Sequence, residues 1–347
     1  MGVLLFALMF GSLLAAITGF VCATVVIVAA GSRLARTADE LADRTGVGEA
    51  LFGVLLLAGV TSLPDLAATL SAAVDTRPEL AMSNVMGSMA ANLMFLGIAD
   101  IIYRKANLEH AAASSAILMQ AALLVVLLTL PLLALMVPTV SMWGIHPVTP
   151  IIIIGYLAGL GLIRSSHDHP MWLPRRTRQT VSDEPEPHRH GSLTAAWIQF
   201  VVLAALTASA GWFLMEAAKV ISDHTDLSDT LIGGLLTALV TSSPELVTTI
   251  AAIRHGALTL AVSNILGTNC FNMLVVAAAD FGYQEGSIYS DIGPVQMIWG
   301  LVSILMTGIL LLGMVRRQTY GFGRIGFETV LLLAVYGFAL LVAAARG

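Results

Sequence analysis

The feature that most limits what this chain can become is a short polar motif set twice inside long apolar runs. It reads Thr61-Ser62-Leu63-Pro64-Asp65 in the first half and Thr241-Ser242-Ser243-Pro244-Glu245 in the second, 180 residues further on. A carboxylate in a segment that spans hydrocarbon is costly, and by default it marks a functional site. The proline before each acid removes one helical N–H and frees the carbonyl four residues back, that of Val60 or Val240. Carboxylate, hydroxyls and freed carbonyl within about one turn make an oxygen-rich cluster suited to a hard cation.

The rest of the chain supplies the membrane. Of its 347 residues, 57% are hydrophobic and 11% charged, which excludes an ordinary soluble domain. The apolar runs are continuous rather than alternating, so they predict helices and not a barrel. The fold class expected is an all-α polytopic membrane protein of ten transmembrane helices. The spans are placed at about 3–35, 49–74, 79–103, 111–136, 148–163, 193–221, 227–253, 257–283, 291–315 and 325–344, the fourth bent or broken near Pro131. The first ends in an amphipathic stretch, 33–44. Cys22 and Cys270 lie in apolar runs and read as buried small hydrophobes, not as a disulfide or metal pair. The amino terminus lacks a basic region before its apolar run, so no cleavable signal is expected.

Basic residues orient the spans. With the amino terminus outside, the inner loops hold Arg33, Arg36, Arg44, Arg104, Lys105, Arg164, Arg175, Arg176, Arg178, Arg189, Arg254, Arg316, Arg317 and Arg324, and the outer side keeps only Arg77, Lys219 and Arg346. This bias predicts both termini outside and a cytoplasmic central linker at 166–191, in the plasma (cell inner) membrane. The linker carries His167, His169, His188, His190 and the run Asp183-Glu184-Pro185-Glu186. It reads as a solvated tether; a regulatory metal site is the other reading.

A shift of 180 residues, without a gap, superimposes 53–100 on 233–280. It matches Thr61 with Thr241, Ser62 with Ser242, Pro64 with Pro244, Ser83-Asn84 with Ser263-Asn264, Gly87 with Gly267, Asn92 with Asn272 and Asp100 with Asp280. The chain therefore reads as two five-helix halves, 1–165 and 192–347. Five is odd, so the second half inserts upside down. Inverted repeats with interrupted helices mark secondary transporters. In the helix after each broken one, Ser88 and Asn92, and likewise Thr268 and Asn272, stand one turn apart on one face. Gly87 and Gly267 permit close backbone approach. Pooled, the site has two carboxylates, two amides and several hydroxyls; the two carboxylates would balance one divalent cation.

These paired motifs resemble the α-repeats of the cation/calcium exchanger superfamily, the prokaryotic sodium/calcium exchangers in particular. The resemblance covers about 53–100 and 233–280. It implies ten helices in two inverted halves, a central diamond of acidic and amide side chains, and exchange of Ca2+ for Na+, or for H+ in some branches. It implies no cofactor and no partner beyond inorganic cations and the lipid bilayer; no nucleic acid is involved. Position by position, Asp65 and Glu245 match the paired Ca2+-binding acids and Asn92 and Asn272 the other corners. Thr61, Ser62, Ser88, Thr241, Ser242 and Thr268 match the hydroxyl ligands of flanking Na+ sites. Asp65 stands where Glu is usual, Asn272 where several members have Asp, and Met89 where Asn is frequent, while its mate Asn269 fits. The resemblance also implies that spans one and six, with the small residues Gly19, Ala23, Ala208 and Gly211, slide against the other eight.

Blander readings stand beside these. Asp65 and Glu245 could be structural, each bonded to a neighbouring helix. Asn92 and Asn272 could tie helices together. Each hydroxyl could bond its own backbone, and Asp100 and Asp280, near helix ends, read as caps. From another class, an intramembrane enzyme would use Asp65 and Glu245 as acid and base, and a passive cation channel would conduct without a counter-ion. The hydroxyls and amides suit ligation better than hydrolysis.

Overall fold

The computed structural model describes residues 12–45, 52–103, 105–112, 114–136, 141–142, 144–168, 192–319, 321 and 325–346. These are helical apart from loops and one isolated bridge between Met142 and Ile145. In chain order the α-helices are α1 Leu13–Val26, α2 Ser32–Thr45, α3 Phe52–Thr61, α4 Leu63–Val74, α5 Pro78–Tyr103, α6 Leu108–Ala111, α7 Ser115–Met136, α8 Val148–Asp168, α9 Leu193–His224, α10 Asp229–Leu231, α11 Ala238–Thr241, α12 Ser243–His255, α13 Leu258–Gly282, α14 Pro294–Arg316 and α15 Phe327–Arg346. A π-helical turn, Ile27–Gly31, joins α1 to α2, and another, Ile232–Thr237, joins α10 to α11. Eight of the described helical segments are long and apolar enough to cross a membrane, and the bent pair Asp229–Thr241 and Ser243–His255 makes a ninth. The protein is thus a multi-pass membrane protein.

Helices are the required answer, because hydrocarbon offers no partner for an unpaired N–H or C=O. What ranks them is burial. The apolar windows of α5 and α13 are 78% and 83% buried inside the protein, whereas those of the α1–α2 rod and α9 are 22% and 28% buried. The two helices after the broken ones therefore form the centre, and the first rod and α9 lie on the lipid-facing rim. Cys22 is exposed on α1 rather than buried; Cys270 is buried in α13, and both are free thiols. No break occurs at Pro131, which lies within the single helix α7. The linker from 169 to 191, with His169, His188, His190 and the acidic run, lies outside the described residues, as does the start of the first span before residue 12.

The two broken helices fail in the same way. Ser62 (φ −79°, ψ 0°) and Ser242 (φ −86°, ψ 2°) each interrupt the helix just before Pro64 or Pro244. Each serine N–H still reaches back four residues, to Ala58 or Ala238, at 3.1 Å. Beyond it the proline has no proton to give, and the next helix starts on a new axis, bent by 41° in the second pair. One freed carbonyl is reclaimed: Ser243 donates its hydroxyl to Val240 O at 2.6 Å. The matching residue, Leu63, has no hydroxyl to do the same.

Contacts between the halves are exchanged across the 180-residue offset. Asp100, at the end of α5, accepts from Leu108 N (2.7 Å), Thr329 Oγ1 (2.7 Å) and Gly326 N (3.3 Å). Asp280, at the end of α13, accepts from Ile288 N (2.9 Å), Thr149 Oγ1 (2.5 Å) and His146 N (2.9 Å). Each acid holds the chain that follows it and the start of the last long helix of the other half, α15 or α8. Capping, the reading given above, is what both side chains do. The rim helices obey the same exchange. A Cβ added to Gly211 of α9 would fall 2.3 Å from Pro64 O, and one added to Gly31 would fall 2.6 Å from Pro244 Cγ. The rim therefore touches the core at the two prolines that break the core helices. Gly211 was legible in the sequence; Gly31 was not among the small residues singled out there.

One end of α9 is further tied by charge. Lys219 Nζ, buried, donates to Glu216 (2.8 Å), Asp75 (2.5 Å) and both the hydroxyl and carbonyl of Ser71 (2.8 and 3.1 Å). Arg77 pairs with Asp223 and with Asp229 (3.3 Å), and these acids hold its guanidinium above the ordinary value against the effect of burial.

The shared capping makes a prediction. Asn in place of Asp100 or Asp280 turns an NH2 toward N–H donors, and charge-assisted bonds of this kind are worth about 1.5–3 kcal/mol each. Asp100→Asn and Asp280→Asn should each lower the thermal unfolding midpoint in detergent, by a similar amount, without changing cation affinity.

Candidate cation site

All ten side chains named as ligands are buried, none more than 2% exposed. They come from the two breaks (Thr61, Ser62, Asp65; Thr241, Ser242, Glu245) and from the central helices (Ser88, Asn92 on α5; Thr268, Asn272 on α13). The break serves the site directly. It places each acid in the first turn of a fresh helix, α4 or α12, where unpaired N–H groups favour negative charge.

Asp65 is the most heavily bonded of the set. Its Oδ1 accepts from Asn84 Nδ2 (2.7 Å) and Ser88 Oγ (2.9 Å) on α5, and lies 3.0 Å from Thr241 Oγ1. Its Oδ2 accepts from Asn272 Nδ2 of α13 at 2.9 Å. The first-half acid is thus embraced by the second-half threonine and amide. Glu245 stands close enough to Asp65 to feel its charge, and it interacts with Thr61 as Asp65 does with Thr241. Its Oε2 is buried with no hydrogen-bond partner. The acids therefore share one locus but not one environment.

The amides point the same way. Asn92 donates to Asn269 Oδ1 at 2.9 Å, and Asn269 in turn donates to Met89 O at 3.0 Å. That chain uses the Asn92 N–H and leaves Asn92 Oδ1 unpaired; Asn272 Oδ1 is unpaired too. Thr268 Oγ1, Ser62 Oγ and Ser242 Oγ are likewise buried without a partner. Leaving a buried polar oxygen unpaired costs about 1–3 kcal/mol. Six such oxygens among the ten named residues fit a hard cation, whose coordination needs several neutral and anionic oxygens together. The set has no sulfur or imidazole ligand, and among the described residues no group of three His, Cys, Asp or Glu is placed to hold a metal.

The backbone-bonded hydroxyls do not argue against ligation. Thr61 Oγ1 donates to Leu57 O (3.0 Å) or Ala58 O (3.2 Å), and Thr241 Oγ1 lies within reach of Thr237 O (3.0 Å) as well as Asp65. A hydroxyl has one proton. Once it points at the backbone, both lone pairs face the site.

Two site residues were missed. Asn84 bridges Asp65, Thr69 Oγ1 (3.0 Å) and Thr237, whose hydroxyl donates to Asn84 Oδ1 at 2.6 Å. The duplicated Ser-Asn pair at 83–84 and 263–264 was the available signal. Thr237 had none, because its counterpart at 57 is leucine.

Residues 15–163 and again 195–345 match the family described as sodium/calcium exchanger protein. The chain is 25% identical over 256 residues to the inner membrane protein YrbG of Escherichia coli, covering 72% of this chain and 74% of that one. It is 23% identical over 274 residues to the sodium/calcium exchanger MaX1 of Methanosarcina acetivorans, covering 73% and 78%. In three dimensions it is similar to the sodium-calcium exchanger NCX_Mj with a TM-score of 0.61, over 95% of this chain and 99% of that one; at 18% identity this is a likeness of fold. The family consists of transporters and not enzymes, so the acid/base reading of Asp65 and Glu245 falls away. The chain belongs to the sodium/calcium exchanger family and is a membrane-embedded cation antiporter.

Proposed function

We propose that the protein exchanges Ca2+ for Na+ by alternating access at one site shared by Asp65 and Glu245. The observation that carries this reading is the set of buried, unpaired oxygens on Glu245 and on Asn92, Asn272 and Thr268 of the two central helices, beside the Asn272 bond to Asp65. Ca2+ takes six to eight oxygen ligands. Asp65 joins them when Ser88 and Thr241 rotate their protons away and the Asn272 amide turns its oxygen inward, motions that need no backbone change. Na+ is served by the same hydroxyls, Thr61, Ser62, Ser88, Thr241, Ser242 and Thr268, which offer neutral lone pairs on either side of the acids. H+ as the counter-ion is the alternative, since two neighbouring carboxyl groups can trade one divalent ion for protons.

The reading includes ten spans in two inverted halves of five, with α3 and α4 forming the remaining broken span. The matched serine breaks, the exchanged Asp100 and Asp280 caps and the double family match support it. The excess of arginine and lysine in alternate loops supports a cytoplasmic linker, both termini outside and placement in the cell's inner membrane. Alternating access is assigned to the α1–α2 rod and α9 moving over Pro244 and Pro64, where glycine keeps the backbones in contact.

Two outcomes follow. In proteoliposomes, 45Ca2+ uptake should be driven by an outward Na+ gradient and not by an outward H+ gradient, and Glu245→Gln should weaken Ca2+ binding by more than about 100-fold, beyond the 10- to 100-fold typical of an outer-shell change. Uptake driven by H+ alone would assign the counter-ion to protons, and uptake unchanged in Glu245→Gln would remove the site. Gly211→Ala places a methyl against Pro64 O and should slow exchange severalfold at saturating Ca2+ while leaving the equilibrium Ca2+ affinity within about twofold, read by flux against calorimetry.

A further inference from the structure

Among the described residues outside the cation site, the largest concentration of unpaired buried polarity lies where α6, α15 and the end of α5 meet. Glu109 and Glu328 are 2% and 1% exposed, and none of their four carboxyl oxygens has a hydrogen-bond donor. Asn107, fully buried, has neither its amide nitrogen nor its amide oxygen paired. A Cβ built on Gly326 would lie 2.4 Å from Glu328 Oε1 and 3.1 Å from Asn107 Nδ2, so the amide is directed at the same spot. The two glutamates flank one carboxylate: Asp100 accepts from Leu108 N, beside Glu109, and from Gly326 N and Thr329 Oγ1, on either side of Glu328, and each lies close enough to feel the other.

The neighbours do not neutralise them. On α5, Asp100 is engaged by Leu108 N, Gly326 N and Thr329, and adds negative charge. On α14, Arg316 sits 5.1 Å over the Phe327 ring; its charge reaches Glu328 but forms no ion pair with it. Arg317, just after α14, donates to His110 O at 3.2 Å, and His110 Nδ1 of α6 is bonded to Arg317 O at 2.7 Å. The titratable residues of α13, which also packs on α6, are Cys270 and Asp280, and Asp280 is engaged by Ile288 N, Thr149 and His146 N. Two carboxylates without donors, buried on either side of a third, cannot both stay ionised where burial is this complete. A divalent ion needs more oxygens than this cluster offers, since those of Asp100 are already taken. A single proton satisfies both carboxyl groups, one donating to the other.

The opposite end of the molecule is the internal control. Asp280 repeats the cap of Asp100, yet the residues matching Asn107, Glu109 and Glu328 are Ser287, Tyr289 and Val148. The cap does not need an acid pair. The pair also lies on the arginine-rich face, beside Lys105, Arg316 and Arg317, which the charge bias places in the cytoplasm.

We propose that Glu109 and Glu328 together hold one proton and form a cytoplasmic pH sensor that sets how α15 packs on α5, without carrying protons across the membrane. The reading of direction and sidedness rests on the antiport proposed above. Loss of the proton drives α6 and α15 apart, and α15 packs on α5, the helix that carries Ser88 and Asn92. The sign is fixed by burial first, and then by the charges of Asp100 and Glu328, which hold Glu109 well above its ordinary 4.5. The folded state thus binds more protons than the unfolded one. The stability this contributes is present at low pH and is lost as pH rises from the ordinary value through the raised one. Exchange should therefore fall when the cytoplasmic face is made alkaline.

The test uses the full chain in two measurements. Infrared difference spectra of the purified protein, titrated with base, should show a protonated-carboxyl C=O band in the wild type that is missing in both Glu109→Gln and Glu328→Gln. No such band, or a band unchanged in both variants, overturns the proposal, whatever the transport assays give. In reconstituted vesicles, the alkaline loss of Na+-driven 45Ca2+ uptake should flatten in both variants, with no Ca2+-coupled proton movement reported by an entrapped pH dye. An unchanged pH profile removes the sensor, and proton flux that disappears with Glu328→Gln places the pair on a transport path instead. Absence of any Na+-driven uptake in the wild type would count against the antiport reading and leave the infrared result standing as the test of the pair.

Discussion

The Asp65 carboxylate gathers donors from three other helices: Asn84 and Ser88 of α5, Thr241 of α11 and Asn272 of α13. A charge in the middle of a membrane protein must be met by such dipoles, because neither water nor lipid will do it. Much of the architecture follows from that need. The helix breaks beside the acid and presents it in a first turn, and its partners come from both halves, Asn84 and Ser88 from its own and Thr241 and Asn272 from the other. The two most buried helices are the ones that carry the amides and hydroxyls. Glu245, one methylene longer, lacks an equivalent embrace, and its Oε2 is left unpaired.

Exchange between the halves is the second organising rule. Asp100 caps the helix that ends the second half, Asp280 the helix that ends the first, and Gly31 and Gly211 each rest on the other half's proline. Neither half closes its own structure. A site built this way is altered symmetrically by motion of either half, which suits a carrier that must present one set of ligands to two sides in turn. The pieces that break the symmetry are equally informative: Glu109 and Glu328 at one end only, and the Lys219 and Arg77 ion pairs holding one end of α9.

Much of this was legible from residues alone, for physical reasons. A proline, an acid and two hydroxyls in hydrocarbon have few explanations, and their repetition at a constant offset removes most of those left. The capping role of Asp100 and Asp280 could be read from their position at helix ends. What could not be read is which oxygens are spent inside the protein. Val240 O is consumed by Ser243, Asn92 is turned by Asn269, and Asn84 proves to be the closest donor to Asp65; each depends on packing between helices far apart in sequence. Of the bend or break expected at Pro131, the break is absent: a proline removes one bond but does not by itself end a helix.

The most direct measurement is the anomalous diffraction of crystals of this protein soaked in Ca2+ at low Na+. The result expected is one strong peak at the centre, within about 2.3–2.6 Å of carboxyl oxygens from both Asp65 and Glu245 and of amide oxygens from Asn92 and Asn272, lost in Glu245→Gln. A Ca2+ peak elsewhere, or one touching a single half of the molecule, would contradict the shared site.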